Sequence, residues 1–216
     1  MRNRVILSRT SGRELTEYLE AKGLDIEYFE PLTNVAAPVR DHPDLVFCPL
    51  RDDMLFEGDR TLLGEDYPED VRYNGFSTGK YFIHNLRYTD PILLDKVKEL
   101  GLIPIDVRQG YCNCSIVPVD EDSLITYDKG IASACEAEGL NVLLVESGHV
   151  ELPGYSTGFI GGASGRIGKE LIFNGDITGH PDHERIMDFA EKRGLVVKCF
   201  TGYPLRDIGS IIYQGD

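Results

Sequence analysis

The chain has 216 residues, 42% of them hydrophobic, with a formal net charge of −14. That composition predicts a packed globular core. It excludes nucleic acid and anionic membrane surfaces as partners, because both need a Lys/Arg surface. No run approaches the roughly 18 apolar residues of a membrane span, and the opening MRNRVILSR lacks the apolar region of a signal peptide. The five cysteines have neither zinc nor disulfide spacing, so a reduced, cytoplasmic protein is expected.

In chain order, RVILSR (4–9) reads as a strand. It is followed by the first of four similar segments: ELTEYLEAKGLDIEYF (14–29), ILLDKVKELGLIPIDV (92–107), GIASACEAEGLNVLLV (130–145) and RIMDFAEKRGLVVKCF (185–200). Each reads as an amphipathic helix, a Gly-Leu pair and a short apolar strand. The glycine suits the left-handed residue that ends a helix. Gly23, Gly101, Gly139 and Gly194 lie 78, 38 and 55 residues apart. The first gap is nearly two short periods, so the chain reads as five units of about 43 residues. One unit has lost its helix to LGEDYPEDV (63–71), where Pro68 and the charges suit a loop.

Hairpins precede the helices. HPDLVFCPLRDDMLFEGD (42–59) and CSIVPVDEDSLITYD (114–128) each turn at an acidic stretch, and GFIGGASGRIGKELIFNGD (158–176) has a Gly-rich first strand. The repeating unit is thus strand–strand–helix–strand. The first unit lacks a strand, and DIGSIIYQ (207–214) is a strand without a partner. Pairing the two would close the units into a ring, which removes exposed sheet edges. The expected fold is a single α/β domain over residues 1–216.

In a strand, His42 and Asp44 would share one face and could hydrogen-bond a third group. Cys114 opens an apolar run and is a candidate nucleophile, with Cys112 as its rival. Cys48, Cys135 and Cys199 fall inside strand or helix patterns and read as core. Asn74, Thr78 and Gln109 stand near unit starts, where they could line a pocket. NGDITGH (174–180) leads from a strand end toward a helix, so Asp176 and His180 could join it. HPDHE (180–184) offers possible metal ligands, but Pro181, Asp182 and Glu184 suit a helix N-terminus better, and no metal or other cofactor is expected.

The ring of five such units resembles the pentein fold of the guanidine-modifying enzyme superfamily, which includes arginine deiminases, dimethylarginine hydrolases and amidinotransferases. The chain is also similar to an uncharacterised bacterial branch of that fold. The resemblance covers the whole chain as architecture and short motifs at residue level. It implies a five-fold pseudosymmetric α/β propeller around a central pocket. The superfamily's H-x-D motif matches His42-Pro43-Asp44. Its nucleophile stretch matches GYCNCSIVPV (110–119), which makes Cys114 the implied nucleophile. Its guanidinium-binding strand matches DIGSII (207–212), with Asp207 in place of Glu and the units circularly permuted. The last unit departs from the pattern: Gly161 and Gly162 stand where relatives carry a carboxylate, which would leave space there.

What the resemblance implies is a Cys-dependent hydrolase or transferase acting on a guanidine, amidine or related C–N bond of a small molecule. Cys114 would attack a trigonal carbon as a thiolate, its pKa lowered by the site or, more economically, by a cationic substrate. His42 would act as acid and then base, and Asp44 would orient the imidazole or bind substrate. Asp207 would hold the substrate, and by their position near unit starts or a strand end Asn74, Gln109, Asp176 and His180 could line the pocket as well. The alternative is a non-catalytic binding protein of the same fold. A small-molecule substrate or ligand is the expected partner, and a homo-oligomer is compatible with the sequence.

Overall fold

The computed structural model describes residues 3–215. Five small sheets carry the strands. The first holds β1 (Arg4–Leu7), β2 (Asp25–Tyr28) and the last strand of the chain, Ile212–Gln214. Between β1 and β2 runs α1 (Arg13–Ala21). The second sheet is a hairpin of β3 (Phe47–Arg51) and β4 (Met54–Glu57). The third holds β5 (Phe76–Ser77), β6 (Tyr81–His84) and β7 (Ile103–Asp106), with α2 (Pro91–Glu99) before β7.

A four-residue helix, α3 (Cys112–Ser115), enters the fourth sheet. That sheet holds β8 (Ile116–Asp120), β9 (Ser123–Thr126) and β10 (Asn141–Leu144), with α4 (Lys129–Ala137) between the last two. The fifth holds β11 (Ser164–Ile167), β12 (Glu170–Phe173) and β13 (Val196–Lys198), with α5 (His183–Glu191) before β13. The chain ends in β14 (Ile212–Gln214).

Every three-stranded sheet follows one rule. Its first strand pairs antiparallel with the second, and the second pairs parallel with the third across a helix. In the first sheet β14 supplies the missing first strand, with Arg4 opposite Gln214 and Ile6 opposite Ile212. The expected pairing of the two orphan strands therefore forms. The pairing covers less of DIGSIIYQ than expected, because residues 207–211 turn rather than extend. The second unit has lost more than its helix. After β4 the chain makes a single 3-10 turn and a loop to β5, with no third strand.

Each long helix has nine residues and buries a pair four apart: Leu15 and Leu19, Leu93 and Val97, Ile131 and Cys135, Ile186 and Ala190. Residues at i and i+4 share a helix face, so one narrow stripe seats each helix on its sheet. Asp90 and Asp128 cap α2 and α4 by accepting two backbone N–H groups each. All four helices end alike. Gly23, Gly101, Gly139 and Gly194 have φ between +69° and +86°. The leucine after each donates its N–H five residues back, to Leu19, Val97, Cys135 and Ala190. That bond closes the Schellman motif and turns the chain into the next strand. No helix among the described residues is long and apolar enough to cross a membrane.

Gly139 has no neighbouring atom within 4 Å of where a Cβ would stand. Gly139→Ala therefore tests backbone strain alone. It should cost about 1 kcal/mol, read as a lower urea midpoint with an unchanged slope.

Candidate functional site

The sequence around His42 does not extend as a strand. Pro43, with its fixed φ, opens a 3-10 turn over Pro43–Leu45, and Val46 donates back to the carbonyl of Pro43. His42 and Asp44 thus precede β3 on a tight turn instead of sharing a strand face. Cys114 also stands before its strand, inside α3. The side chains of the hairpin itself go to the core: Leu45, Val46, Phe47, Cys48 and Leu50 are buried.

The two turns meet. The Cys114 thiol donates to Asp44 Oδ2 at 3.0 Å, and Ser210 Oγ donates to the same oxygen at 2.9 Å. Asn113 Nδ2 donates to Ser210 Oγ at 3.0 Å. Asp44 Oδ1 is buried and has no hydrogen-bond partner. His42 Nδ1 lies 3.7 Å from Asp207 Oδ1, an ion-pair distance beyond hydrogen-bond length. Asp207 is held by the N–H groups of Phe159 (2.9 Å) and Gly209 (3.0 Å). Cys114, His42, Asp44 and Asp207 are all at least 97% buried.

Asn74 ties the cluster together. Its backbone carbonyl accepts from the N–H groups of Cys112 and Asn113, and its Oδ1 accepts from Cys114 N. Its Nδ2 donates to the carbonyl of Asp44 at 3.0 Å and to Cys114 Sγ at 3.2 Å. Both amide protons are thereby used, so Asn74 is a scaffold for the thiol and not the free substrate ligand the sequence suggested. Cys112 turns away and donates to the carbonyl of Gln109 at 3.1 Å, which settles the thiol facing Asp44 as Cys114.

Three other expected ligands are committed elsewhere. Gln109 donates to Asp128 and accepts from Tyr111 N. Asp176 closes its own turn onto Thr178. His180 sits between the carbonyl of Glu146 and the N–H of Asp182. Thr78 likewise accepts from Lys80 N and Tyr81 N within its turn. Among the described residues no group of three or more His, Cys, Asp or Glu side chains is arranged for a metal ion.

Gly161 and Gly162 do not leave the expected space. A Cβ on Gly161 would meet the carbonyls of Asn113, Cys114 and Ile116, and one on Gly162 would run into the Asp207 carboxylate. The segment is glycine because two backbones and a carboxylate close on it. Gly162 N donates to the carbonyl of Cys114 at 2.8 Å, and its own carbonyl accepts from Ser210 N at 2.8 Å.

Sequence reasoning missed Ser210, Asn113 and an aromatic wall. The Phe159 ring lies 5.7 Å from Tyr111 and 5.9 Å from Tyr127, and Tyr111 donates its hydroxyl to buried Asp70. A cavity of about 380 Å³ lies beside the cluster, and Cys114, His42, Asp44 and Asp207 are not among its lining residues. Its buried lining includes Asn113, Gly161 and Ser210, and its exposed lining includes Arg51, Asp52 and Glu121.

Burial and two nearby carboxylates favour the protonated thiol. Burial raises the Cys114 pKa well above the ordinary range, and the carboxylates of Asp44 and Asp207 raise it further. The chain's own groups shift it opposite to the expected lowering, because burial and the two carboxylates all disfavour a thiolate. Burial also raises the carboxyl of Asp207, with Asp44 adding to the shift and His42 opposing it.

Asp44→Asn should therefore make Cys114 ionise more readily. The pH midpoint for its alkylation by iodoacetamide, followed by peptide mass, should fall by about one to three units. An unmoved midpoint would mean that the carboxylate does not govern this thiol.

No curated protein and no solved structure matches the chain. A family model described as a family of unknown function (DUF6873) matches residues 54–212. That span holds Asn74, Cys114, Asp207 and Ser210 and begins after His42 and Asp44. The chain belongs to this family of unknown function, DUF6873.

Proposed function

We propose that the five sheets form a pentein-type α/β propeller and that Cys114 is the nucleophile of a hydrolase or transferase acting on a guanidine, amidine or related C–N bond. The architecture is supported by the order of the inner strands. β14 packs against β3 and β11, β3 against β5, β8 against β11, and α3 bridges β5 and β8. The chemistry rests on one observation: the Cys114 thiol donates to Asp44, a buried carboxylate whose other oxygen is unpartnered.

A cationic amidinium or guanidinium is the group that such a place accepts. Its N–H groups would bond Asp44 Oδ1 and the Asp207 carboxylate. Its charge would offset the repulsion that keeps the thiol protonated, so that ionisation waits for the ligand. The thiol proton passes to His42 and sulfur attacks the trigonal carbon, forming a C–S bond. The C–N bond then breaks, and His42 gives its proton to the leaving nitrogen. Water, deprotonated by His42, adds to the same carbon. The C–S bond breaks and the sulfur takes a proton back, leaving a urea or amide. An amine in place of water makes the reaction a transfer.

The second reading is a non-catalytic binding protein of the same fold. It is favoured by the upward shift of the Cys114 thiol. The two separate by reagent charge. At neutral pH a cationic haloacetamidine should alkylate Cys114 at least about tenfold faster than neutral iodoacetamide, one ion pair's worth of about 1.4 kcal/mol. Asp207→Asn should erase the difference. Simple guanidines or amidines should release ammonia or amine with the wild type and not with Cys114→Ala or His42→Ala. Equally slow alkylation by both reagents, with no release from any compound, would overturn the enzyme reading.

A further inference from the structure

Ser210 stands out before any function is assigned to it. Its φ is +71°, and it is the one non-glycine with positive φ among the described residues. A side chain in that region is uncommon and strained, and such residues cluster at functional sites. A glycine would take the same turn without cost, and the residue before it, Gly209, does so at φ +70°. A hydroxyl is therefore kept at position 210 against the preference of the backbone.

The hydroxyl is fully assigned by its neighbours. Asn113 Nδ2 donates to it at 3.0 Å, so a lone pair is used. Two acceptors compete for its single proton: Asp44 Oδ2 at 2.9 Å and the carbonyl of Gly161 at 3.3 Å. The nearer, charged acceptor makes the stronger bond. The backbone fixes the donor's position, since Ser210 N bonds the Gly162 carbonyl and Ile211 N bonds the Ser164 carbonyl. The same turn carries Asp207, the neighbour of His42.

We propose that Ser210 is a positioning residue: its hydroxyl, aimed by Asn113 and held by a left-handed turn, fixes the Asp44 carboxylate against the Cys114 thiol. This rests on the reading of Cys114 and Asp44 as the reactive pair. Asp44 Oδ2 takes two donors, the hydroxyl and the thiol, while Oδ1 takes none. Without the hydroxyl the carboxylate has no fixed donor apart from the thiol. It is freer to rotate, and its charge is less well compensated when the thiol ionises beside it. The titratable groups interacting with Cys114 are Asp44, Asp207, Tyr111 and Tyr127, and His42 faces Asp207. Ser210 touches one of these, Asp44.

The test is the pH profile of Cys114 alkylation by iodoacetamide in the full-length protein, read by peptide mass. Ser210→Gly removes the hydroxyl and keeps the turn. Its midpoint should move up by about one unit, as removal of a donor from an ionising pair requires. Ser164→Ala is the control. Ser164 lines the same cavity and donates to the Gly161 carbonyl, but makes no bond to Asp44, so its midpoint should match wild type. Asn113→Ala should shift the midpoint in the same direction as Ser210→Gly, and it decides the matter if the glycine variant does not fold.

A wild-type midpoint in Ser210→Gly, or equal shifts in Ser210→Gly and Ser164→Ala, would overturn the proposal. Alkylation reads the thiol and carboxylate whether or not turnover exists. A shifted midpoint in a protein that releases no ammonia would keep Ser210 in its role and remove the enzyme reading.

Discussion

The interaction on which the site depends is the 3.0 Å contact between the Cys114 thiol and the Asp44 carboxylate, made where both are buried. A buried carboxylate is costly unless hydrogen bonds compensate it. The chain compensates its two carboxylates unequally. Asp207 has two backbone N–H donors and an imidazole beside it. Asp44 has one oxygen with two donors and one with none. The result is a buried, negatively charged environment that favours the neutral thiol. Under the proposed function, a cationic ligand would offset both effects, by bonding Asp44 Oδ1 and by compensating the charge of the thiolate.

That contact depends on the repeat. His42 and Asp44 come from the turn before the second sheet, Asn74 from the approach to the third, and Cys114 from the approach to the fourth. Asp207 and Ser210 come from the turn into β14. Each sheet has two or three strands of at most five residues, too small to stand alone. The sheets supply burial, and the chain segments entering their first strands supply the chemistry. Those segments are irregular and could not satisfy their own backbone groups. They bond one another instead: Asn74 caps α3, the Gly162 carbonyl accepts from Ile208 and Ser210, and Asp44 N reaches the Gly209 carbonyl. The groups that hold the site are therefore also the ones that join consecutive units.

How much of this was legible depended on whether a signal was local. The Gly-Leu pairs ending four helices were readable, since a left-handed C-terminal residue is demanded by backbone sterics alone. The pairing of residues 4–9 with the chain's end was readable because each segment otherwise lacked a partner. The convergence of His42, Asp44, Cys114 and Asp207 was readable only through the motif order of a resembling superfamily. What failed was short-range geometry. Pro43 converts an apparent strand into a turn, and Cys114 sits in one turn of helix that no periodicity announces. Asp176 and His180 looked available because their competitors, Thr178 and the Glu146 carbonyl, are ordinary turn partners. Ser210 was invisible, since nothing in its type signals a positive φ.

The two glycines carry the last step. Read against the resembling enzymes, Gly161 and Gly162 suggested a missing carboxylate and an empty place. In the folded chain the place is taken. The Asp207 carboxyl fills the volume that a Gly162 side chain would need, and the backbone of α3 and β8 fills that of Gly161. A carboxylate on residue 162 would collide with Asp207, and its charge would add to two that already oppose ionisation of Cys114. The absence of a side chain at 162 and the placement of Asp207 are therefore one arrangement. It leaves Asp44 and Asp207 as the carboxylates interacting with the thiol and lets the turn at 207–210 pack closely on the Cys114 segment through Gly162.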